Sequence, residues 1–128
     1  MTLVIIITVI VGIIVFVNLN KNKGLNKMNA EEANELVKNP EVKILDVRNP
    51  DEFKSGHLKN ATLIPVSNLA ARIQELDSYK EKQILVYCHS GMRSSAACGI
   101  LTKNGFTKVV NLSGGISSWI AKGFKTVS

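Results

Sequence analysis

The chain is poor in the residues that most often announce a site. Its 128 residues include two cysteines, two histidines and one tryptophan. Two cysteines, Cys88 and Cys98, cannot build a disulfide framework. Together with the dispersed His57 and His89 they offer no metal-ligand spacing, so no metal is expected. Arginine occurs only at 48, 72 and 93, and the remaining basic surplus is scattered lysine without interleaved aromatics. A nucleic-acid partner is therefore not expected. There is no internal repeat and no low-complexity tract.

Charge is absent from Thr2 to Leu19, where Leu3–Val17 is almost wholly Leu, Ile, Val and Phe. As a helix this stretch measures about 27 Å, close to the ~30 Å hydrocarbon core of a bilayer. It has neither the basic start nor the small-residue cleavage site of a signal peptide, so residues 1–20 are expected to be an uncleaved transmembrane anchor. Lys21, Lys23 and Lys27 follow it and carry half of the net +6. By the positive-inside rule the N-terminus lies outside and the rest in the cytoplasm, with residues 21–27 a basic juxtamembrane linker facing anionic lipid. Residues 28–128 are long enough for one domain. In a cytosolic setting both cysteines stay reduced.

Within that domain, strand and helix signals alternate. Asn29 with Glu32 has capping-box spacing for a helix that presents Ala30, Ala33, Leu36 and Val37. Val42–Val47 reads as a strand, Asn49-Pro50 as a helix start and Ala61–Ile64 as a short strand stopped by Pro65. Ser67 is expected to cap a helix with Leu69, Ile73 and Leu76 on one side. Gln83–Tyr87 is a strand, and Ser94–Asn104 a helix with Ala96, Ala97, Ile100 and Leu101 inward. Lys108–Leu112 is the last strand, and Gly114-Gly115 opens a helix containing Trp119. The strand cores are apolar runs rather than alternations. That predicts an α/β fold with a mostly parallel sheet flanked by helices on both faces. In such sheets the site lies beyond the carboxyl ends of the strands, where Asp46, Arg48 and Cys88 all fall.

Tyr87-Cys88-His89-Ser90-Gly91-Met92-Arg93-Ser94 reads as buried strand, tight loop and helix start. Unpaired N–H groups, the positive helix end and Arg93 all favour thiolate over thiol at Cys88. The expected nucleophile is Cys88. The backbone of His89, Ser90, Gly91, Met92, Arg93 and Ser94 forms an anion cradle, and Arg93 adds charge or locks the loop. His57 is expected in a structural hydrogen bond, Cys98 and Trp119 in the core.

Residues 28–126 resemble a single-domain rhodanese. The likeness rests on Asp46-Val47-Arg48, Asp51-Glu52-Phe53, Gly56-His57-Leu58, Ile64-Pro65, the Cys88–Ser94 loop, and Gly114-Gly115 followed by Trp119. It implies a cofactor-free sulfurtransferase that moves sulfane sulfur through a Cys88 persulfide. The implied partners are a small donor such as thiosulfate, and cyanide, a thiol or a protein as acceptor; the oligomeric state is left open. Asp46 and Arg48 resemble positions at the active-site mouth, with an ion pair from Arg48 to Asp51 or Glu52 as the alternative. A non-enzymatic binding module of the same fold is the competing class. A cysteine phosphatase or arsenate reductase is a further one. The phosphatases place one more residue between cysteine and arginine than the four that separate Cys88 from Arg93 here.

Overall fold

The structure, a computed structural model, describes residues 26–128 together with Ile6. Apart from Ile6, the expected anchor lies outside the described residues, as does most of the expected linker. Among the described residues no helix is long and apolar enough to cross a membrane.

The elements run β1 (Lys27–Met28), α1 (Ala30–Leu36), β2 (Lys43–Asp46), α2 (Pro50–Ser55), β3 (Thr62–Leu63), α3 (Val66–Leu69), a 3₁₀ helix (Ile73–Tyr79), β4 (Gln83–Tyr87), α4 (Met92–Lys103), β5 (Lys108–Leu112) and α5 (Gly115–Ala121). The five strands form one sheet in the order β1-β5-β4-β2-β3, and every pairing is parallel. The central strand is β4, whose Ile84, Leu85, Val86 and Tyr87 are all fully buried. Its side chains alternate between two cores. Ile84 and Val86 pack with Leu69, Leu76, Cys98 and Leu101 under α3, the 3₁₀ helix and α4. Leu85 and Tyr87 pack with Ala30, Ala33, Ile116 and Trp119 under α1 and α5. Burial on both faces is why the strand reads as a continuous apolar run. At roughly 1.5–3 kcal/mol per large buried side chain, this strand is the sheet's chief anchor.

Most boundaries follow the local chemistry. The Asn29–Glu32 capping box is formed, with the Glu32 N–H on Asn29 Oδ1 at 2.8 Å and the Asn29 N–H on Glu32 Oε1 at 3.3 Å. Three expectations are corrected. Lys27 belongs to a strand rather than to the linker, because its segment hydrogen-bonds along β5 in the register Lys27↔Asn111 and Met28↔Leu112. A two-residue edge strand has no period to read and exists only through its partner. Ser67 is not a helix cap: the chain enters α3 through Pro65, and the Ser67 hydroxyl donates to Asn68 Oδ1 at 2.9 Å. The helix then tightens to 3₁₀ geometry, in which residues three apart eclipse. That turns Ile73, Leu76 and Tyr79 together onto the core. Finally, Ala96 is exposed, and α4 instead buries Ser94, Ala97, Cys98 and Leu101.

Candidate active site

Cys88 leaves the carboxyl end of β4 and the chain turns at once into α4. Gly91, at φ 111°, is the helix N-cap, in the left-handed region where a side chain would be strained. The turn folds the loop back over the sulfur. The Gly91 N–H donates to Cys88 Sγ at 3.0 Å, and the Ser94 hydroxyl lies 3.4 Å from it. Cys88 itself is buried, only 1 % exposed. That burial disfavours ionisation, but the Ser94 hydroxyl and the N–H groups of Ser94, Gly91 and Ser90 outweigh it, and the thiol is held below its ordinary range. The side chains of His89, Ser90 and Met92 point to solvent, Met92 being 82 % exposed. The groups that hold the sulfur are thus loop N–H groups and one side chain, the Ser94 hydroxyl.

Two further elements hold the loop. The first is α5. Gly115 lies against the loop backbone, and the first free N–H groups of α5 donate into it: Ile116 N–H to the Cys88 carbonyl at 2.9 Å and Ser117 N–H to the His89 carbonyl at 3.1 Å. The second is α2, through Glu52. Its carboxylate takes both guanidinium nitrogens of Arg93, at 2.6 and 2.9 Å, and also accepts the Asn49 N–H at 3.1 Å. Arg93 therefore locks the loop to α2, with its charge largely neutralised.

The Arg93 hydrogen bonds, opposed by burial and helped by the Asn49 N–H, lower the Glu52 carboxyl from 4.5 to about 2. A carboxyl depressed by folding adds stability above its unfolded pKa and loses it as pH falls through the folded one. Glu52→Gln is thus expected to destabilise the domain at neutral pH and to converge on the parent as pH falls from 4.5 to about 2. Denaturant midpoints measured across that range check this; an equal loss at every pH would refute it.

Asp46 and Arg48 pair with each other. Arg48 Nε and Nη2 lie 3.0 and 2.7 Å from Asp46 Oδ1 and Oδ2, and Nη2 also donates to the Gly56 carbonyl at 2.7 Å. Asp46 is fully buried, so it does not form the mouth, and Arg48 makes its ion pair with Asp46 rather than with Asp51 or Glu52. Arg48 still lines, with Glu52, His89 and Ile120, a cleft of about 250 Å³ on one side of the loop. A second cleft of about 300 Å³, lined by Lys27, Ser90, Ser95 and Ser113, flanks the other side.

His57 is structural: its ring stacks on Phe53 at 3.7 Å and Nδ1 donates to the Phe53 carbonyl at 2.9 Å. Trp119 is buried, with its indole N–H on the Lys125 carbonyl at 2.9 Å. Cys98 is fully buried in the core, and burial, followed by the neighbouring Cys88, pushes its thiol up to about 12. Such a thiol is a poor resolving partner. Among the described residues no cluster of His, Cys, Asp and Glu could hold a metal ion.

Asn111 escapes sequence reasoning. It is 4 % exposed and faces the loop from β5. Its Nδ2 donates to the Gly91 carbonyl at 3.1 Å, and its Oδ1 lies 2.6 Å from Ser94 Oγ. The available signal was one polar residue inside the apolar strand Val109-Val110-Asn111-Leu112, since a polar group buried there needs partners.

This arrangement, a cradled thiol at the end of the central strand of a parallel sheet, can be compared with known proteins. The family profile described as Rhodanese-like domain matches residues 29–122. The chain belongs to the rhodanese-like domain family. One rhodanese relative is a sulfurtransferase of Allochromatium vinosum, 31 % identical over 105 residues that cover 81 % of this chain and 96 % of that protein. Another is a tRNA uridine(34) hydroxylase of Cronobacter sakazakii, 33 % identical over 74 % of this chain; the match spans only 28 % of that protein's length. Among solved structures, a rhodanese-related protein of Thermoplasma volcanium superposes with a TM-score of 0.72 at 35 % identity, over 80 % of this chain and 97 % of that one. The rhodanese fold expected from the sequence is the fold observed, a parallel sheet with helices on both faces.

Proposed function

We propose that the chain is a sulfurtransferase that carries sulfane sulfur on Cys88. The observation that supports this reading best is the cradled sulfur: a thiol held below its ordinary range, with the Gly91 N–H 3.0 Å away. In the first half-reaction the Cys88 thiolate attacks the outer sulfur of thiosulfate. A bond forms from Sγ to that sulfur, the sulfur–sulfur bond of thiosulfate breaks, and its electron pair leaves with sulfite. The product is an anionic Cys88 persulfide, stabilised by preorganised loop N–H groups. In the second half-reaction cyanide or a thiolate attacks the outer sulfur and the Cys88 thiolate departs. Two half-reactions through one covalent intermediate give ping-pong kinetics.

The loop has four residues between Cys88 and Arg93, and Cys88 is almost wholly buried. A cradle this tight suits a single delivered sulfur atom better than a tetrahedral phosphate or arsenate. Arg93, committed to Glu52 by two hydrogen bonds, is not free to clamp such an oxyanion. The proteins of similar sequence include a sulfurtransferase matched over nearly its full length, which favours the enzyme over a binding module. The test is the mass of the purified chain after thiosulfate treatment. A gain of one sulfur atom is expected. No gain with any sulfane donor would favour the binding module, and Cys88-dependent hydrolysis of an aryl phosphate would favour the phosphatase.

The same proposal places the domain at the cytoplasmic face of a membrane, on the strength of the uncharged run Thr2–Leu19 and the lysines at 21, 23 and 27. In inside-out vesicles the domain is expected to be digested by added protease. Protection there would refute the orientation.

A further inference from the structure

Ser94 and Asn111 form a buried pair directly behind the sulfur. Ser94 is fully buried and Asn111 is 4 % exposed. The orientation of the Asn111 amide follows from the loop: the Gly91 carbonyl can only accept, so the nitrogen must face it, at 3.1 Å, and the oxygen must face Ser94. The Ser94 hydroxyl then has two acceptors within reach, Asn111 Oδ1 at 2.6 Å and Cys88 Sγ at 3.4 Å. It has one proton to donate.

We propose that Asn111 is a positioning residue for Cys88. By competing for the single Ser94 proton it sets how strongly the loop holds a thiolate, and so biases the cysteine toward its sulfur-loaded state.

The sulfur has two anionic states, thiolate and persulfide. A Cys88 thiolate has full negative charge on Sγ and draws the Ser94 proton toward itself. That leaves the buried Asn111 Oδ1 without a donor, a cost of the kind that makes orphaned buried acceptors rare. In a persulfide the negative charge moves to the outer sulfur and Sγ becomes a weak acceptor. The Ser94 proton returns to Asn111 at no loss. Asn111 therefore makes the bare thiolate less favourable relative to the persulfide. This second consequence rests on the sulfurtransferase reading; the first does not.

Other charged and titratable groups surround the site. Arg93 and Cys98 face Cys88 from α4, and Glu52 binds Arg93 from α2. Asp46 ends β2 and Arg48 follows it, His89 lies in the loop, and Lys27 lies across from Asn111 on β1. Among the described residues none of them hydrogen-bonds to the Ser94 hydroxyl or to the Asn111 side chain. The competition is therefore local to Cys88, Ser94 and Asn111.

The test is a double-mutant cycle on the full chain, with Asn111→Leu, Ser94→Ala and the pair. The readout is the pH profile of Cys88 alkylation by iodoacetamide. It is followed on the tryptic peptide Gln83–Arg93, which contains Cys88 and not Cys98. Asn111→Leu frees the Ser94 proton for the sulfur and is expected to lower the midpoint by about one pH unit, the scale of one hydrogen bond to a charged group. In the Ser94→Ala background the same substitution should produce no shift. An equal shift in both backgrounds, or none in either, would overturn the proposal and assign Asn111 to bracing the Gly91 carbonyl alone. Should Asn111→Leu fail to fold, the isosteric Asn111→Asp serves. Its upward shift must shrink when Ser94 is replaced by alanine, and a shift of the same size in both backgrounds overturns the proposal equally. If the chain loads sulfur, Asn111→Leu should also lower the ratio of persulfide to free Cys88 thiolate about tenfold at a fixed thiosulfate-to-sulfite ratio, read at a pH above the alkylation midpoint. Failure to load sulfur at all would bear on the sulfurtransferase reading and leave the alkylation result standing.

Discussion

Cys88→Ser is expected to abolish the gain of sulfur from thiosulfate and to lower turnover by at least about three orders of magnitude. The physical reason lies in how the loop stabilises charge. The N–H groups of Ser90, Gly91 and Ser94 act on one atom, and the Ser94 hydroxyl divides its proton between that atom and Asn111 Oδ1. They can bring a thiol into the range where it ionises, but not an alcohol, which stays neutral under the same field. The replacement changes little else. Serine is close to cysteine in size, and Cys98 remains in the core as a thiol held up at about 12. The melting temperature should therefore move by only a few degrees, on the order of 1 kcal/mol. The decisive measurement pairs the mass after thiosulfate treatment with the thermal melt. A serine variant that still takes up one sulfur atom would mean that the carrier is another residue.

Gly115→Ala should be the most damaging single methyl group in the domain. At Gly115, with φ at +60°, a Cβ would come within 2.5 Å of the Cys88 carbonyl oxygen and the His89 carbonyl carbon, and would also collide with the His89 carbonyl oxygen. These are backbone atoms of the loop and cannot swing aside as a side chain end can. The Ile116 and Ser117 hydrogen bonds to the same two carbonyls would have to lengthen or break. Overpacking of this kind, together with a left-handed backbone at a non-glycine residue, costs about 2–4 kcal/mol. A domain of this size should lose roughly 10 °C or more in melting temperature. The loop carrying Cys88 is what must move, so turnover should fall by about 100-fold or more even where the domain remains folded. A variant with the parent's melting temperature and sulfur-loading rate would show that α5 does not position the loop. Alanine at Gly99 is the control, because a Cβ there meets nothing within 4 Å.

Both predictions concern one loop, and its components differ in how far the chain announces them. Cys88 and the backbone cradle are legible because they are local. An apolar run, a cysteine, a glycine-containing turn and a helix start lie within a few residues, and short-range geometry converts that order into a cradled thiol. The role of Glu52 is half legible. Its spacing from Asn49 marks a helix start, and it does accept the Asn49 N–H. Nothing near it in the chain indicates that the same carboxylate holds Arg93, 41 residues away. Asn111 is legible only as an anomaly, one polar residue in an apolar strand, with no sign of which polar groups it meets.

The sequence by itself determined the alternation of strands and helices, the parallel two-sided sheet, and the strand–loop–helix that carries Cys88, because each depends on period, caps and turn chemistry over short spans. It also places an uncharged run, Thr2–Leu19, ahead of the domain; apart from Ile6 this run lies outside the described residues. Only the tertiary structure decided that Lys27 and Met28 add an edge strand, that Arg48 folds onto Asp46, and that Ile73, Leu76 and Tyr79 align through a 3₁₀ turn. It alone decided that three separate elements, α2 through Glu52, α5 through its first N–H groups and β5 through Asn111, converge on one loop. These contacts with the loop join residues 17 to 41 positions apart, and no local propensity encodes them. They form because the sheet order brings the ends of β2, β4 and β5 side by side, and because buried donors and acceptors there must find partners.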